Sequence, residues 1–180
     1  RVNGLNPYHN LRLAVAAIKR LNPKPELIVL GGDLFEDGEH GNYQLVEDCF
    51  KELQVPAHTV LGNHDHLNNF RKTASPPKTA DFGGYYSFDQ GDCHFVILYS
   101  AGTGKPFGRL DDRQLLWLNE DLYLNRTKPV LIFLHHPPFD TGIGWLDRIK
   151  LLNAESFWGI LPPLSRNIRG VFASHLHLQY

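Results

Sequence analysis

Four short apolar runs in this 180-residue chain each stop at a polar cluster of metal-ligand residue types. Leu27-Ile28-Val29-Leu30 leads into Gly31-Gly32-Asp33, and Thr59-Val60-Leu61 into Gly62-Asn63-His64-Asp65. Val130-Leu131-Ile132-Phe133-Leu134 leads into His135-His136-Pro137-Pro138, and Val171-Phe172-Ala173 into Ser174-His175-Leu176-His177. A short apolar run bounded by Gly or Pro reads as a buried strand. In open α/β sheets, ligands bind at the carboxyl ends of the strands. Four strands are therefore expected to bring Asp, Asn and His side chains to one sheet edge, and that points to a metal site. Each cluster alone has an ordinary reading. Gly31-Gly32-Asp33 and Gly62-Asn63 could be turns, His135-His136-Pro137-Pro138 a strand terminator, and His175-Leu176-His177 surface or core histidines. Their shared position after an apolar run separates the two readings.

The segments between these runs read as helices. Leu11, Val15, Ile18 and Leu21 form one stripe over Asn10 to Leu21, and Asn22-Pro23 ends it. A second helix is expected over Tyr43 to Leu53, with Leu45, Val46, Cys49, Phe50 and Leu53 inward. A third begins at Asp111, where Asp111 and Gln114 have capping-box spacing, and carries Leu115, Leu118 and Leu122 on its apolar face. A fourth covers Ala154–Leu161, stopped by Pro162-Pro163. Tyr85–Asp89 and His94–Ser100 read as antiparallel strands joined at Gln90-Gly91-Asp92. Alternating strands and helices predict a layered α/β fold over residues 1–180, one domain with no internal linker. With no strand before the first helix and little chain after His177, the expected domain is truncated at both ends.

Composition narrows the function classes. Apolar content of 42% and charged content of 21% fit a globular protein. A net charge of -1, with the positive charges dispersed, gives no basic stripe for a nucleic-acid backbone or an anionic membrane. No apolar run approaches the roughly 20 residues that span a bilayer. Cys49 and Cys93 make no disulfide framework and fit a reducing, cytoplasmic setting.

Asp33 is a hard anionic ligand able to bridge two cations, His135, His175 and His177 offer imidazole nitrogens, and Asn63 offers an amide oxygen. A mixed N/O set without thiolate favours Mn, Fe, Zn or Co in a working site over structural zinc. Two cations about 3.5–4 Å apart, bridged by a carboxylate, form a clamp for in-line attack at phosphorus. His64 follows Asn63 and is expected over the metal edge as a proton-transfer group. Glu36, Asp37 or Asp65 could orient it, each weighed against loop capping or solvation. Phe139, Trp145 and Phe70 could stack on a base, weighed against core or loop packing.

These clusters resemble the calcineurin-like metallophosphoesterase superfamily, whose strands end in Asp-x-His, Gly-Asp, Gly-Asn-His-Asp/Glu, a His and Gly-His-x-His. All but the first occur here. Gly142-Ile143-Gly144-Trp145-Leu146-Asp147, Leu152-Asn153-Ala154, Phe107-Gly108-Arg109-Leu110-Asp111 and Gln114-Leu115-Leu116-Trp117-Leu118 further resemble the bacterial class III 3',5'-cyclic-nucleotide phosphodiesterases. The resemblance implies a four-layer α/β/β/α sandwich, here lacking its first strand and its closing strands. It implies Asp33 as the bridging ligand. Asn63, His135 and His175 would complete one metal, and His177 would serve the other. His64 would assist the leaving oxygen, and a metal-bound hydroxide would be the nucleophile. His135 has the His-x-Pro spacing, which leaves His136 to orient a ligand or line the pocket. Ser174 stands where the family has Gly, so any positive φ there would be strained. The absent Asp-x-His implies that the chain is part of a longer enzyme.

The expected function is a metal-dependent phosphodiesterase acting on 3',5'-cyclic AMP or a related cyclic nucleotide, giving the 5'-monophosphate. A glycerophosphodiesterase is the nearest rival, and a catalytically impaired metal- or phosphate-binding module is the alternative of another class. A small phosphodiester is the expected partner, with no nucleic acid and no membrane. Oligomeric state stays open, a homodimer included.

Overall fold

The computed structural model describes residues 7–35, 40–73, 83–102, 105–161 and 167–177. The element order is α1 (Pro7–Ile18), β1 (Ile28–Leu30), α2 (His40–Lys51), β2 (Ala57–Thr59), α3 (Leu67–Thr73), β3 (Tyr86–Gln90), β4 (Cys93–Ile97), α4 (Asp112–Leu124), β5 (Val130–Leu134), α5 (Ala154–Ile160) and β6 (Ile168–Ala173). Parallel β1 and β2 form one sheet; β3-β4-β5-β6 form the other, antiparallel between β3 and β4 and parallel onward.

Side-chain alternation along the strands builds the layers. On β5, Val130, Ile132 and Leu134 point to one face, where they join Leu118 and Leu122 of α4 and Phe157 of α5 in the main core. Phe133 points the other way and meets Val29, Val60, Tyr86 and Ile97 between the two sheets. The outer face of β1 carries Ile28 and Leu30 against Val15, Val46, Cys49 and Phe50. The order is therefore α1/α2, β1/β2, β3–β6, α4/α5, the four-layer arrangement expected. Across the inner face of the larger sheet, Phe88, Phe95, Phe133 and Phe172 stack strand to strand, with centroids 5.1, 6.3 and 4.8 Å apart.

Two expected inward positions are corrected. Leu21 lies beyond α1 and is 52% exposed, and Leu45 falls off the Val46–Cys49–Phe50 stripe and is 46% exposed. The expected capping box is half formed. Gln114 N donates to Asp111 Oδ1 at 2.7 Å, but the Gln114 amide instead clasps Tyr99, accepting from its N at 2.8 Å and donating to its O at 2.9 Å.

At the far end of β4, His94 is buried between two carboxylates. Nδ1 lies 2.7 Å from Asp89 Oδ1 and Nε2 lies 2.8 Å from Asp121 Oδ2. Ionised carboxylates only accept, so both nitrogens carry protons and the ring is imidazolium. Burial works against that charge, but the hydrogen bonds to Asp121 and Asp89 outweigh it and hold the pKa above its ordinary value. A pKa raised in the fold stabilises fully below the unfolded value near 6.5 and loses its effect as pH rises through the folded value. In urea titrations, the wild-type advantage over His94→Gln is expected to be largest at pH 6 and to shrink above neutrality. An advantage that grows with pH would mean the ring is neutral in the fold.

Candidate functional site

The loops after β1, β2, β5 and β6 meet at one edge, and the local backbone explains how. Gly31 lies so close to Ser174 that a Cβ there would sit 2.0 Å from Ser174 Oγ. Ser174 itself has no positive φ, so the strain expected there is absent and the need for a small residue falls on Gly31. The left-handed conformations fall instead on Asp33 (φ 52), His175 (φ 67) and His177 (φ 52). Non-glycine residues rarely adopt them, and such strain concentrates where a chain must aim a functional side chain. His175 and His177 lie beyond the end of β6, so they are free of the strand's shared face, and both line one cavity.

Asp33, His135 and His175 converge. His135 Nδ1 lies 2.8 Å from the Gly31 carbonyl, which can only accept, so Nδ1 carries a proton and Nε2 is the ring nitrogen turned into the site. Nε2 faces Asp33 Oδ2 at 3.1 Å and His175 Nδ1 at 3.0 Å. The second Asp33 oxygen accepts from the His64 backbone N at 3.0 Å. Burial opposes ionisation of Asp33, but its hydrogen bonds with His135 and His175 hold the carboxyl far below the ordinary range. A proton or a metal cation on Nε2 makes this approach to the carboxylate favourable, and a metal can take the place of the proton. Three further side-chain atoms, Asn63 Oδ1, His136 Nε2 and His175 Nε2, are buried without a hydrogen-bond partner among the described residues. Buried polar groups are rarely left so. This donor set fits a transition-metal ion bound through nitrogen and oxygen.

His136 is completely buried and joins the same cluster, its ligand atom within 4.8 Å of those of His135 and His175. It does not face Asp33 in the same way. Its Nδ1 lies 2.9 Å from Ser100 Oγ, which also accepts from the His136 backbone N at 3.2 Å. Burial and the neighbouring histidines push its pKa down to about 3, so the ring is neutral. A Cβ on Gly108 would meet the His136 ring at 2.5 Å, which fixes Gly at that position.

The site opens into a cavity of about 850 Å³ whose lining includes Asp33, His64, His135, His175 and His177. Phe139 also lines it, whereas Phe70 lines a separate, largely apolar cavity of about 460 Å³ beside Tyr43. Trp145 is exposed and outside the residues lining either cavity. Glu36 and Asp37 lie outside the described residues. Asp65, the remaining candidate for orienting His64, is spent elsewhere. It is buried and accepts from Gly62 N at 2.8 Å, Leu34 N at 3.2 Å and Tyr43 Oη at 3.2 Å. It ties the β1 loop to the β2 loop. Tyr43 and Ser100, which hold this frame, carry no sequence signal for the role. Asp65 at least stood inside a motif.

Comparison with known proteins places the chain in a family and a fold. The sequence pattern of the family described as Calcineurin-like phosphoesterase matches residues 6–179. A 3',5'-cyclic-nucleotide phosphodiesterase of Nostoc sp. is 26% identical over the whole chain, which covers 66% of that protein. A 3',5'-cyclic adenosine monophosphate phosphodiesterase of Vibrio vulnificus is 31% identical over 84% of the chain and 54% of its own length. A probable glycerophosphodiester phosphodiesterase of Arcobacter nitrofigilis is 31% identical over 81% of the chain and 54% of its own length. The chain thus spans between about half and two thirds of these relatives. Among solved structures, a dimetal phosphatase from Danio rerio superposes with a TM-score of 0.73 at 20% identity, covering 94% of this chain and 72% of that one.

Proposed function

The chain belongs to the calcineurin-like phosphoesterase family, and from that premise we propose that it hydrolyses a small phosphodiester, 3',5'-cyclic AMP or a related cyclic nucleotide, to the 5'-monophosphate. The observation that carries the reading is the convergence of Asp33, His135 and His175, with Asn63 Oδ1 and His175 Nε2 buried without a partner beside them. We assign Asp33, Asn63, His135 and His175 to one metal ion, with Asp33 shared and His177 serving a second ion. His135 is preferred to His136 because its Nε2 lies 3.1 Å from Asp33 Oδ2; His136 is held through Nδ1 by Ser100 and keeps Nε2 buried without a partner beside the cluster. Mn, Fe, Zn or Co suits the donors. When bound, the ions polarise the phosphoryl oxygens and make water acidic enough to attack at neutral pH.

The protein's own groups do the rest. The Gly31 carbonyl holds the His135 tautomer. The His64 amide fixes the Asp33 carboxylate while its ring lines the cavity, where it delivers a proton to the leaving oxygen. No described helix is long and apolar enough to cross a membrane, and the free thiols Cys49 and Cys93 fit a cytoplasmic setting. The names of the Nostoc and Vibrio relatives support a cyclic nucleotide; that of the Arcobacter relative supports a glycerophosphodiester as the second reading.

With Mn²⁺ supplied, the protein is expected to turn over both bis(p-nitrophenyl) phosphate and 3',5'-cyclic AMP. Turnover of the artificial diester alone would remove the cyclic-nucleotide assignment, and turnover of neither would remove the phosphodiesterase. Two variants separate the roles. Asn63→Ala is expected to lower bound metal and kcat together. His64→Ala is expected to keep the metal and lose about 10²–10⁴-fold in kcat. Equal metal loss in both would overturn the role given to His64.

A further inference from the structure

We propose that His136 is a positioning residue for His175, its Nε2 lone pair taking the proton that His175 carries on its own Nε2; the inference rests on the metal assignment made for this site. His136 Nε2 and His175 Nε2 are both buried without a partner among the described residues. The two rings lie 4.6 Å apart, centroid to centroid, inclined at 52°. His136 is fully buried, and the His175 side chain is 8% exposed. Buried polar atoms are rarely left without a partner. One hydrogen bond between these rings, direct or across a single water, satisfies both atoms at once.

The direction of that bond follows from what holds the other nitrogen of each ring. His175 Nδ1 is turned into the site, 3.0 Å from His135 Nε2 and 3.9 Å from Asp33 Oδ2. As a ligand through Nδ1, a neutral imidazole keeps its proton on Nε2, and that N–H needs an acceptor. His136 is held the other way round. Its Nδ1 lies 2.9 Å from Ser100 Oγ, and the Pro106 carbonyl is a further acceptor for the ring. A Cβ on Gly108 would lie 2.7 Å from Nδ1, so the backbone at 106–108 approaches on that side. A carbonyl only accepts, which puts a proton on Nδ1. A second proton on Nε2 would be a buried charge without a partner there, so Nε2 presents its lone pair. His135 and His175 approach Asp33 Oδ2 at 3.1 and 3.9 Å, whereas His136 makes no such contact among the described residues. That favours an acceptor over a ligand. A partner on the far nitrogen fixes the orientation of a ligating imidazole. His135 already has one in the Gly31 carbonyl, and His175, on left-handed backbone at φ 67, otherwise lacks one.

The test uses the full natural protein loaded with Zn²⁺, a diamagnetic ion, and reads the imidazole nitrogens by long-range proton–nitrogen NMR. The proton is expected on Nε2 of His175 and on Nδ1 of His136. A His136 proton on Nε2, or a His136 Nε2 with the shift of a zinc-bound nitrogen, would overturn the assignment. Zn²⁺ affinity is then measured by calorimetry. His136→Phe keeps a ring and loses the acceptor, and is expected to lower the affinity about 10–100-fold. His136→Gln, whose amide oxygen stands in for the Nε2 lone pair, is expected to recover most of that loss. Wild-type affinity in His136→Phe, or an equal loss in both variants, would remove the role. If His136→Phe does not fold, the proton positions in the wild type decide the matter. A wild type that binds no Zn²⁺ fails the metal assignment and this inference together. One that binds Zn²⁺ with His136 protonated at Nε2 fails this inference alone.

Discussion

Gly62→Ala is expected to strip metal from the site and to lower Tm by roughly 5–10 °C. The β1 and β2 loops meet backbone to backbone. A Cβ on Gly62 would lie 2.1 Å from Asp33 Oδ1 and 2.4 Å from Asp33 N. From the other loop, a Cβ on Gly32 would lie 2.7 Å from Gly62 N and 2.6 Å from His135 Nδ1. No rotamer change relieves a clash with backbone, so either the loops separate or Asp33 turns away. Overpacking of this kind costs about 1–3 kcal/mol. The loss in metal affinity should be larger in proportion, because Asp33 is the ligand assigned to both ions. Metal per chain and Tm, measured together, check this. A Gly62→Ala protein with full metal content would show that the two loops have slack the close approach does not suggest.

The strand-end pattern made the candidate site legible because it is local: an apolar run and the polar residues that follow it occupy adjacent positions. The β5 boundaries, the Asp111 cap and the hairpin at Gly91 were legible for the same reason. What the sequence hid depends on distant partners. α3 has only Leu67 and Phe70 as strong apolar positions, and Phe70 meets Tyr43 edge-on at 5.8 Å from a different helix. His94 sits in an ordinary strand pattern, and its two carboxylate partners come from β3 and α4. Ser174 looked strained because a family glycine suggested a positive φ. The left-handed backbone instead belongs to the aspartate and histidines that the loops aim. Spacing can propose ligands, but it cannot say which backbone groups orient them. The bond from Gly31 to His135 spans 104 positions.

Asp65→Ala is expected to have the largest effect outside the ligands themselves. Its two oxygens serve three donors: Gly62 N, Leu34 N and the Tyr43 hydroxyl. The hydroxyl oxygen in turn accepts from His66 N at 2.8 Å. Removing the carboxylate leaves three buried or part-buried donors without an acceptor, each worth about 1–3 kcal/mol unless water enters. Leu34 follows Asp33, and Gly62 precedes Asn63, so the loss falls on the two loops that carry both assigned oxygen ligands. Tm and metal content should fall together. Tyr43→Phe removes one of the three bonds and also the acceptor for His66 N, and should cost about 1–3 kcal/mol with little change in kcat. Asp65→Asn keeps the shape but turns an amide N–H toward one of the donors, so it should fall between the two. If Asp65 oriented the His64 ring instead, Asp65→Asn would keep its metal and shift the pH profile of kcat. A metal-replete Asp65→Asn enzyme with a displaced profile would therefore move Asp65 from the frame of the site into its proton chemistry.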